Sequence, residues 1–316
     1  MLDISEPLFE TSLEEAASVE LPRRKEVWRH LKRSKVGIAG CIITGGFILT
    51  AIFGPMLPFI PNPSQQDLEA RLTPPVLWGG TWEHVLGTDQ LGRDLLARII
   101  EGARVSLLVG LSAVALSAII GVTLGLIAGY KSGLLDTVIT SVADIQIAFP
   151  GVLAGLILVT AFGPGVGLVI IVIAMSGWMV FTRVTRGFVF SLKTSLFVEA
   201  GELTGAKSAR IMRVHLLPNL YSSLVTLAVL EFAAAVLSES AFSFLGFGVQ
   251  PPGTSWGLII AQGRDYITNA WWIVTFAGCA IALAVLGTNL IALWLQSFGD
   301  VRGRERTLLE TPGAGA

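Results

Sequence analysis

Six apolar stretches, at Val36–Phe59, Val105–Gly129, Thr137–Ala161, Val166–Phe181, Tyr221–Phe244 and Trp271–Leu295, constrain this chain more than any other feature. A helix needs about 20 predominantly apolar residues to cross the hydrocarbon core, because inside lipid every backbone N–H and C=O must find its partner within the segment. With 53% hydrophobic and 14% charged residues and a mean hydropathy of +0.70, the chain is too apolar for a soluble domain. The expected fold class is an all-α membrane protein with six transmembrane helices.

Charge placement orients those spans, since lysine and arginine accumulate on the cytoplasmic side while acids carry little topological weight. With the N-terminus inside, 17 of the 22 lysines and arginines fall in cytoplasmic segments, and Arg71, Arg93, Arg98, Arg104 and Arg264 fall outside. Both termini are therefore expected in the cytoplasm. The first stretch follows the basic run from Arg23 to Lys35, but it exceeds the ~7–15-residue core of a signal peptide and no small-x-small cleavage site follows it, so it reads as a retained span. Cys41 and Cys279 both lie in apolar runs and offer neither a disulfide framework nor a metal-ligand spacing.

The chain divides accordingly into a cytoplasmic tail at 1–35, a first span at 36–60, a proline-punctuated extracytoplasmic loop at 61–104, a five-helix core at 105–297 and a cytoplasmic tail at 298–316. The N-terminal tail is acidic at first and turns basic just before the membrane, as a lipid-facing anchor would. Within the core two connections are long. The outer one, Gly246 to Ala270, carries Pro251-Pro252-Gly253 and Trp256 and suits either a re-entrant, lid-like segment or an ordered surface loop. Trp78, Trp82, Trp271 and Trp272 are expected in an aromatic belt at the outer interface.

The inner connection, 182–219, interrupts the apolar sequence with polar residues. Leu196 to Thr204 favours helix, Gly205 supplies an elbow, and Ala206 to Leu217 favours helix again until Pro218 stops it. A hairpin of this kind, with Leu203, Ile211, Met212 and Leu216 as apolar knobs and Arg210 and Arg213 as a charged rim, has the make-up of a docking surface.

Its residues, Glu199-Ala200-Gly201-x3-Gly205-x9-His215-x-Leu217-Pro218, resemble the EAA loop of ABC importer permeases, whose pattern is Glu-Ala-Ala-x3-Gly-x9-Ile-x-Leu-Pro. Gly201 departs from the third-position alanine and His215 from the isoleucine. Three further segments are similar to the dipeptide/oligopeptide/nickel branch, in its DppC/OppC-type subunit: Leu86 to Asp94, Gly102 to Leu107, and Ser243 to Pro252 with Ser255-Trp256-Gly257. After Phe298-Gly299-Asp300 the chain departs again, with Val301-Arg302-Gly303-Arg304 where the family has Gly-Leu-Arg-Asp.

The resemblance implies a type I ABC importer permease fold in a bacterial or archaeal cytoplasmic membrane. It also implies a homologous second permease subunit, two ATPase subunits seated on the EAA loops, and an extracytoplasmic binding protein that delivers peptides or, alternatively, nickel or another small solute. ATPase coupling would fall to Glu199, Ala200, Gly201, Gly205, Ala206, Arg210, His215, Leu217 and Pro218. ATP and Mg are expected on the partners, and no cofactor, metal or nucleic acid on this chain. It contains no Gly-x4-Gly-Lys-Ser/Thr phosphate loop, and Gly163-x-Gly165-x-Gly167 follows no strand, so the chain reads as a transport subunit and not an enzyme.

Three intramembrane acids, Asp144, Glu231 and Glu239, are candidates for the pathway, since a central acid costs roughly 2.5–3.5 kcal/mol on insertion scales and must face protein or water. Glu231 and Glu239 lie two helical turns apart, on one face. Glu231 suits a pathway role or a structural pairing equally; Asp144, nearer the cytoplasmic end, suits a structural one. An ion-coupled secondary transporter using these acids as proton carriers is the competing reading. An intramembrane hydrolase is disfavoured, because His30, His84 and His215 all lie outside the spans.

Overall fold

The computed structural model describes residues 24–58, 60–148 and 150–310, with side chains from Val27 to Phe298. The first 23 residues of the predicted N-terminal tail and the last six of the C-terminal one lie outside it. Helix α1 (Arg24–Arg33) meets α2 (Lys35–Phe53) at Ser34, whose extended backbone and side-chain oxygen, 3.1 Å from the Gly37 N–H it accepts, cap the second helix. α2 stops short of the predicted Phe59 because Pro55 has no N–H to donate, and a 3-10 turn replaces the helix at Gly54–Met56.

α3 (Leu95–Lys131) starts ten residues before the predicted Val105. Asp94 caps it by accepting the Ala97 N–H at 2.7 Å. Its 37 residues run about 55 Å at 1.5 Å per residue, well beyond the ~30 Å hydrocarbon core, so the last part of the predicted outer loop belongs to this helix. The third predicted span is not continuous: α4 (Gly133–Ala148) and α5 (Gly151–Phe162) are bent by 85°. Pro150 sits at the break, where it can neither donate to a preceding turn nor let its neighbour stay helical. Five helices are thus long and apolar enough to cross a membrane, or six if the bent pair counts as one span.

α6 (Val166–Leu192) runs eleven residues past the predicted Phe181, so Arg183 and Arg186 belong to a helix and not a loop. Both reach α4, Arg183 to Asp144 at 2.5 Å and Arg186 to Asp136 with two bonds at 2.5 and 2.7 Å. A short α7 (Leu196–Leu203) follows, then α8 (Leu217–Phe244), α9 (Trp256–Gly263) and α10 (Trp271–Glu310).

The tightest junction joins α3 to α6. Gly121, Gly125 and Gly129 recur every fourth residue along one face of α3, and a Cβ on them would stand 2.3 Å from the Trp178 carbonyl oxygen, 2.6 Å from Thr185 Cβ and 2.7 Å from Val189 Cβ, respectively. Between apolar helices in lipid, close backbone approach supplies the dispersion contacts that water would otherwise drive, and small residues four apart permit it. Gly125→Leu is expected to wedge the pair apart at a cost of ~1–3 kcal/mol. The check is the melting temperature of the detergent-solubilised protein, which should fall; an unchanged value would contradict the seam.

The outer connections are built into the bundle. Trp256 is buried, donates its indole N–H to the Ile99 carbonyl at 2.9 Å and packs on Gly102, whose absent Cβ would lie 2.7 Å from the ring. α9 is therefore a buried plug between α3, α8 and α10, not a lid over them. Trp272, expected in the interfacial belt, is also buried and donates to the Thr88 carbonyl at 3.1 Å; Trp78 and Trp82 are exposed. Beneath them Asp89, fully buried, accepts from Arg93 Nε at 2.7 Å, from Arg98 Nη1, and from the N–H groups of Leu91 and Arg93 at 2.8 and 3.0 Å. Gln262 Oε1 on α9 accepts from one further arm of each guanidinium, Arg93 Nη2 at 3.0 Å and Arg98 Nη2 at 2.8 Å, while Arg98 Nε is buried with no partner among the described residues. This buried network ties the outer loop to α3 and α9.

Candidate functional site: the segment between α6 and α8

The chain between α6 and α8 is shorter than predicted, because α6 absorbs its start and α8 its end. α7 ends in a glycine-dependent cap. Gly205 takes φ +74°, Ala206 N–H donates to Gly201 O at 3.1 Å and Gly205 N–H to Glu202 O at 2.9 Å. Those paired bonds form a Schellman motif with glycine at its left-handed position. Thr204 closes the same turn by donating its hydroxyl to Gly201 O at 2.9 Å.

Beyond the elbow the backbone makes one turn at Ser208–Arg210 and a π-helical turn at Ile211–Leu216. Pro218 was expected to end this helix; it opens α8 instead. Within a regular α-helix its ring would clash with the Val214 carbonyl and its missing N–H would leave that carbonyl unpaired. The wider π turn, in which Leu217 N–H reaches back to Met212 O, accommodates the ring. Asn219 then donates its side-chain amide to His215 O at 2.7 Å.

Two of the expected docking knobs face inward. Ile211 and Leu216 are 0% exposed and, with Val198 and Leu220, pack on Leu126 and Tyr130 of α3 and Val189 of α6. Met212 is half-buried against the same cluster. Tyr130 Oη also donates to Glu202 Oε1 at 2.8 Å, and Lys193 Nζ lies over the Tyr130 ring at 5.9 Å while donating to Ser132 Oγ at 3.2 Å. Neither Tyr130 nor Glu202 stood out in the sequence. Glu202 sits three residues after Glu199 and one after the buried Gly201, and a helical wheel alone puts the two acids side by side.

What α7 offers outward is Leu196 and Leu203, 83% and 89% exposed, with Glu199 and Ala200 between them. The spacing i, i+3, i+4, i+7 puts all four on one face. Gly205 and Arg210 are exposed beside it, and Pro218 is exposed at the α8 entry; Ala206, His215 and Leu217 are half-buried. Gly201 faces the inner side, where a Cβ would make ordinary contact, 3.7 Å from Ile211 Cγ1 and 4.0 Å from His215 Cδ2. Gly201→Ala should therefore be accepted and should stabilise α7 by roughly 0.5–1 kcal/mol, the ordinary helix-interior gain of alanine over glycine. Hydrogen exchange over residues 196–203 is the check, with slower exchange expected.

The intramembrane acids occupy three different settings. Asp144 is exposed and paired with Arg183. Glu239 is buried on α8 among hydroxyls, Ser243 donating at 2.7 Å, Ser106 of α3 at 3.2 Å and Ser240 at 3.5 Å. Glu231 is half-buried toward Gly177 of α6, where a Cβ would stand 3.6 Å from its carboxylate, and has no partner among the described residues. The two glutamates thus meet different neighbours despite their shared spacing. A cleft of about 730 Å³ opens between the α4–α5 bend, α6 and α8, lined mainly by apolar side chains with Gln146, Ser176 and Ser238 among them. Among the described residues no cluster of His, Cys, Asp or Glu could hold a metal ion.

Residues 121–302 match the family described as binding-protein-dependent transport system inner membrane component, and residues 23–75 match the N-terminal transmembrane domain of oligopeptide transport permease C. The di/tripeptide transport system permease protein DppC of Pseudomonas aeruginosa is 41% identical over 278 residues, 87% of this chain and 91% of that protein. The dipeptide transport system permease protein DppC of Escherichia coli K12 is 40% identical over 288 residues, 90% and 95% of the two chains. A chain of the inward-facing MetNI methionine ABC transporter superposes with a TM-score of 0.48 and 15% identity, covering 63% of this chain and 96% of that one, too slight a likeness to argue from. The chain belongs to the family of inner membrane components of binding-protein-dependent transport systems, as a permease subunit of the DppC type.

Proposed function

We propose that this chain forms half of the translocation pathway of an ATP-driven peptide importer and receives the ATPase stroke on α7. The observation that carries the reading is the division of α7 into two faces. Its inner face is fixed to the ends of α3, α6 and α8 by Val198, Ile211, Leu216 and the Tyr130–Glu202 bond, and its outer face leaves Leu196, Glu199, Ala200 and Leu203 exposed among the described residues. A subunit seated on that outer face displaces α7 together with three spans, and the bundle then exchanges between inward- and outward-open states. ATP and Mg belong to that partner. Six spans with both termini cytoplasmic put α7 on the side where ATP is, as the lysine and arginine distribution requires.

Peptide as cargo is supported by the relatives, which are named for dipeptides and di/tripeptides at about 40% identity over most of the chain. The cleft beside the α4–α5 bend and the unpartnered Glu231 are the features suited to flank the pathway: an apolar wall for side chains and a carboxylate for a peptide's ammonium. Asp144 and Glu239, each already satisfied by protein groups, serve the packing of the bundle.

Reconstitution with a second permease, the ATPase pair and a binding protein in liposomes tests the reading. Uptake of a radiolabelled dipeptide should require ATP and survive a protonophore. Uptake that collapses with the protonophore and persists without ATP would replace it with an ion-coupled mechanism, and uptake of nickel without dipeptide would overturn the cargo.

A further inference from the structure

α1 stands at the aqueous end of an apolar span, separated from α2 by Ser34 alone. Whatever the orientation of the bundle, this position lies at headgroup depth. One side of α1 is committed to the protein. Trp294 of α10 donates its indole N–H to His30 Nδ1 at 3.0 Å, the Phe298 ring lies 5.2 Å from the imidazole, and Leu31 packs where a Gly37 Cβ would be 2.9 Å away.

The other side is left open. Trp28 is 60% exposed, Arg29, Lys32 and Arg33 are exposed, and Lys32 Nζ stands 5.6 Å from the Trp28 ring. Among the described residues none of these three cations pairs with a carboxylate. From Arg23 to Lys35 the sequence holds seven basic residues and one acid, Glu26. An indole with three cations at helical spacing that meet no carboxylate among the described residues, fixed at a span's end, has the chemistry of an interfacial anchor for phosphate headgroups, since tryptophan favours the headgroup boundary and each basic residue is attracted to an anionic leaflet.

We propose that the exposed face of α1 is a binding site for anionic phospholipid, with Arg29, Lys32 and Arg33 on the headgroup phosphate and Trp28 at the acyl boundary. Because the opposite face of α1 grips the end of α10, a lipid held there also fixes α2 and α10 to each other at the membrane surface. This site is independent of the transport reading.

Native mass spectrometry of the full-length purified chain, titrated with phosphatidylglycerol and in parallel with phosphatidylcholine, tests it. The unmodified protein should retain phosphatidylglycerol in preference, and R29Q/K32Q/R33Q should lower that retention about 100-fold, at roughly a factor of five per basic residue, while leaving phosphatidylcholine unchanged. Equal retention by the variant, or an equal loss of both lipids, overturns the proposal. If the triple variant does not insert, the unmodified protein decides. Its phosphatidylglycerol affinity should fall steeply between low and high salt and resist millimolar inorganic phosphate; a flat salt dependence, or displacement by free phosphate, overturns the site.

Discussion

Asp89→Ala is expected to prevent this protein from accumulating in its folded form. Asp89 is the single carboxylate shared by Arg93 and Arg98, and Arg98 is 0% exposed. Removing it leaves two guanidinium groups beneath the outer surface with only Gln262 as acceptor. Breaking a buried ion pair from one side costs about 3–5 kcal/mol, because the remaining charge stays desolvated, and whole domains are stable by only ~5–15 kcal/mol. Asp89→Asn keeps an acceptor oxygen and the side-chain volume, so its defect should be smaller. Protease accessibility of residues 61–94 in membrane vesicles distinguishes the outcomes: rapid cleavage for alanine, intermediate for asparagine. An alanine variant as resistant as the unmodified chain would show that the network contributes little.

If α7 is the proposed seat of an ATPase subunit, Gly205→Val should weaken that association without harming insertion. Left-handed backbone costs an L-residue roughly 1–2 kcal/mol, and a β-branched side chain there is a genuine outlier. The space around Gly205 is open, so the penalty is conformational and is relieved only by abandoning the cap, which re-aims α7. Since about 1.4 kcal/mol corresponds to a factor of ten, ATPase retention on the purified permease should drop roughly 5- to 30-fold. Gly205→Asn, which tolerates this conformation better, should recover much of it. Glu199→Lys, which reverses the charge at the centre of the exposed face, should produce a comparable loss with α7 intact. Normal retention in the valine variant would remove α7 as the seat.

The places of the apolar segments were legible because hydrocarbon allows so few backbone solutions, while their count came out at five spanning helices, or six if the bent pair is one span. Their ends were less legible, for reasons that differ from site to site. α3 begins early because of a cap at Asp94, a local signal that hydropathy averaging dilutes. α6 runs on through Arg183 and Arg186 because Asp144 and Asp136 on α4 neutralise them, and pairing across 39 and 50 residues cannot be seen in a window. The single stretch expected at Thr137–Ala161 takes no account of Pro150, whose geometry favours the break. The glycine ladder of α3 is written plainly at positions 121, 125 and 129 and was overlooked; a search for small residues four apart would have found it.

In the coupling segment the elbow at Gly205 and the helix before it followed from propensity and turn chemistry. The direction in which the side chains point did not. Ile211 and Leu216 look like contact residues in isolation, and only the proximity of Leu126, Tyr130 and Val189 makes them core. The outward face, Leu196 to Leu203, follows from periodicity once the inward Val198 is known.

The close fit of Gly121, Gly125 and Gly129 against the Trp178 carbonyl and the Thr185 and Val189 side chains interlocks α3 and α6, so a displacement of one carries the other with it as a single strut. The bent α4–α5 arm, tethered to that strut by the Asp144–Arg183 and Asp136–Arg186 pairs and by Gln146 on Trp178 and Met175, is then the compliant part. A push arriving from the cytoplasm would be transmitted undiminished along the strut and spent in reshaping the arm, which would make the width of the passage a property of the arm's angle rather than of any rearrangement in the glycine-packed pair.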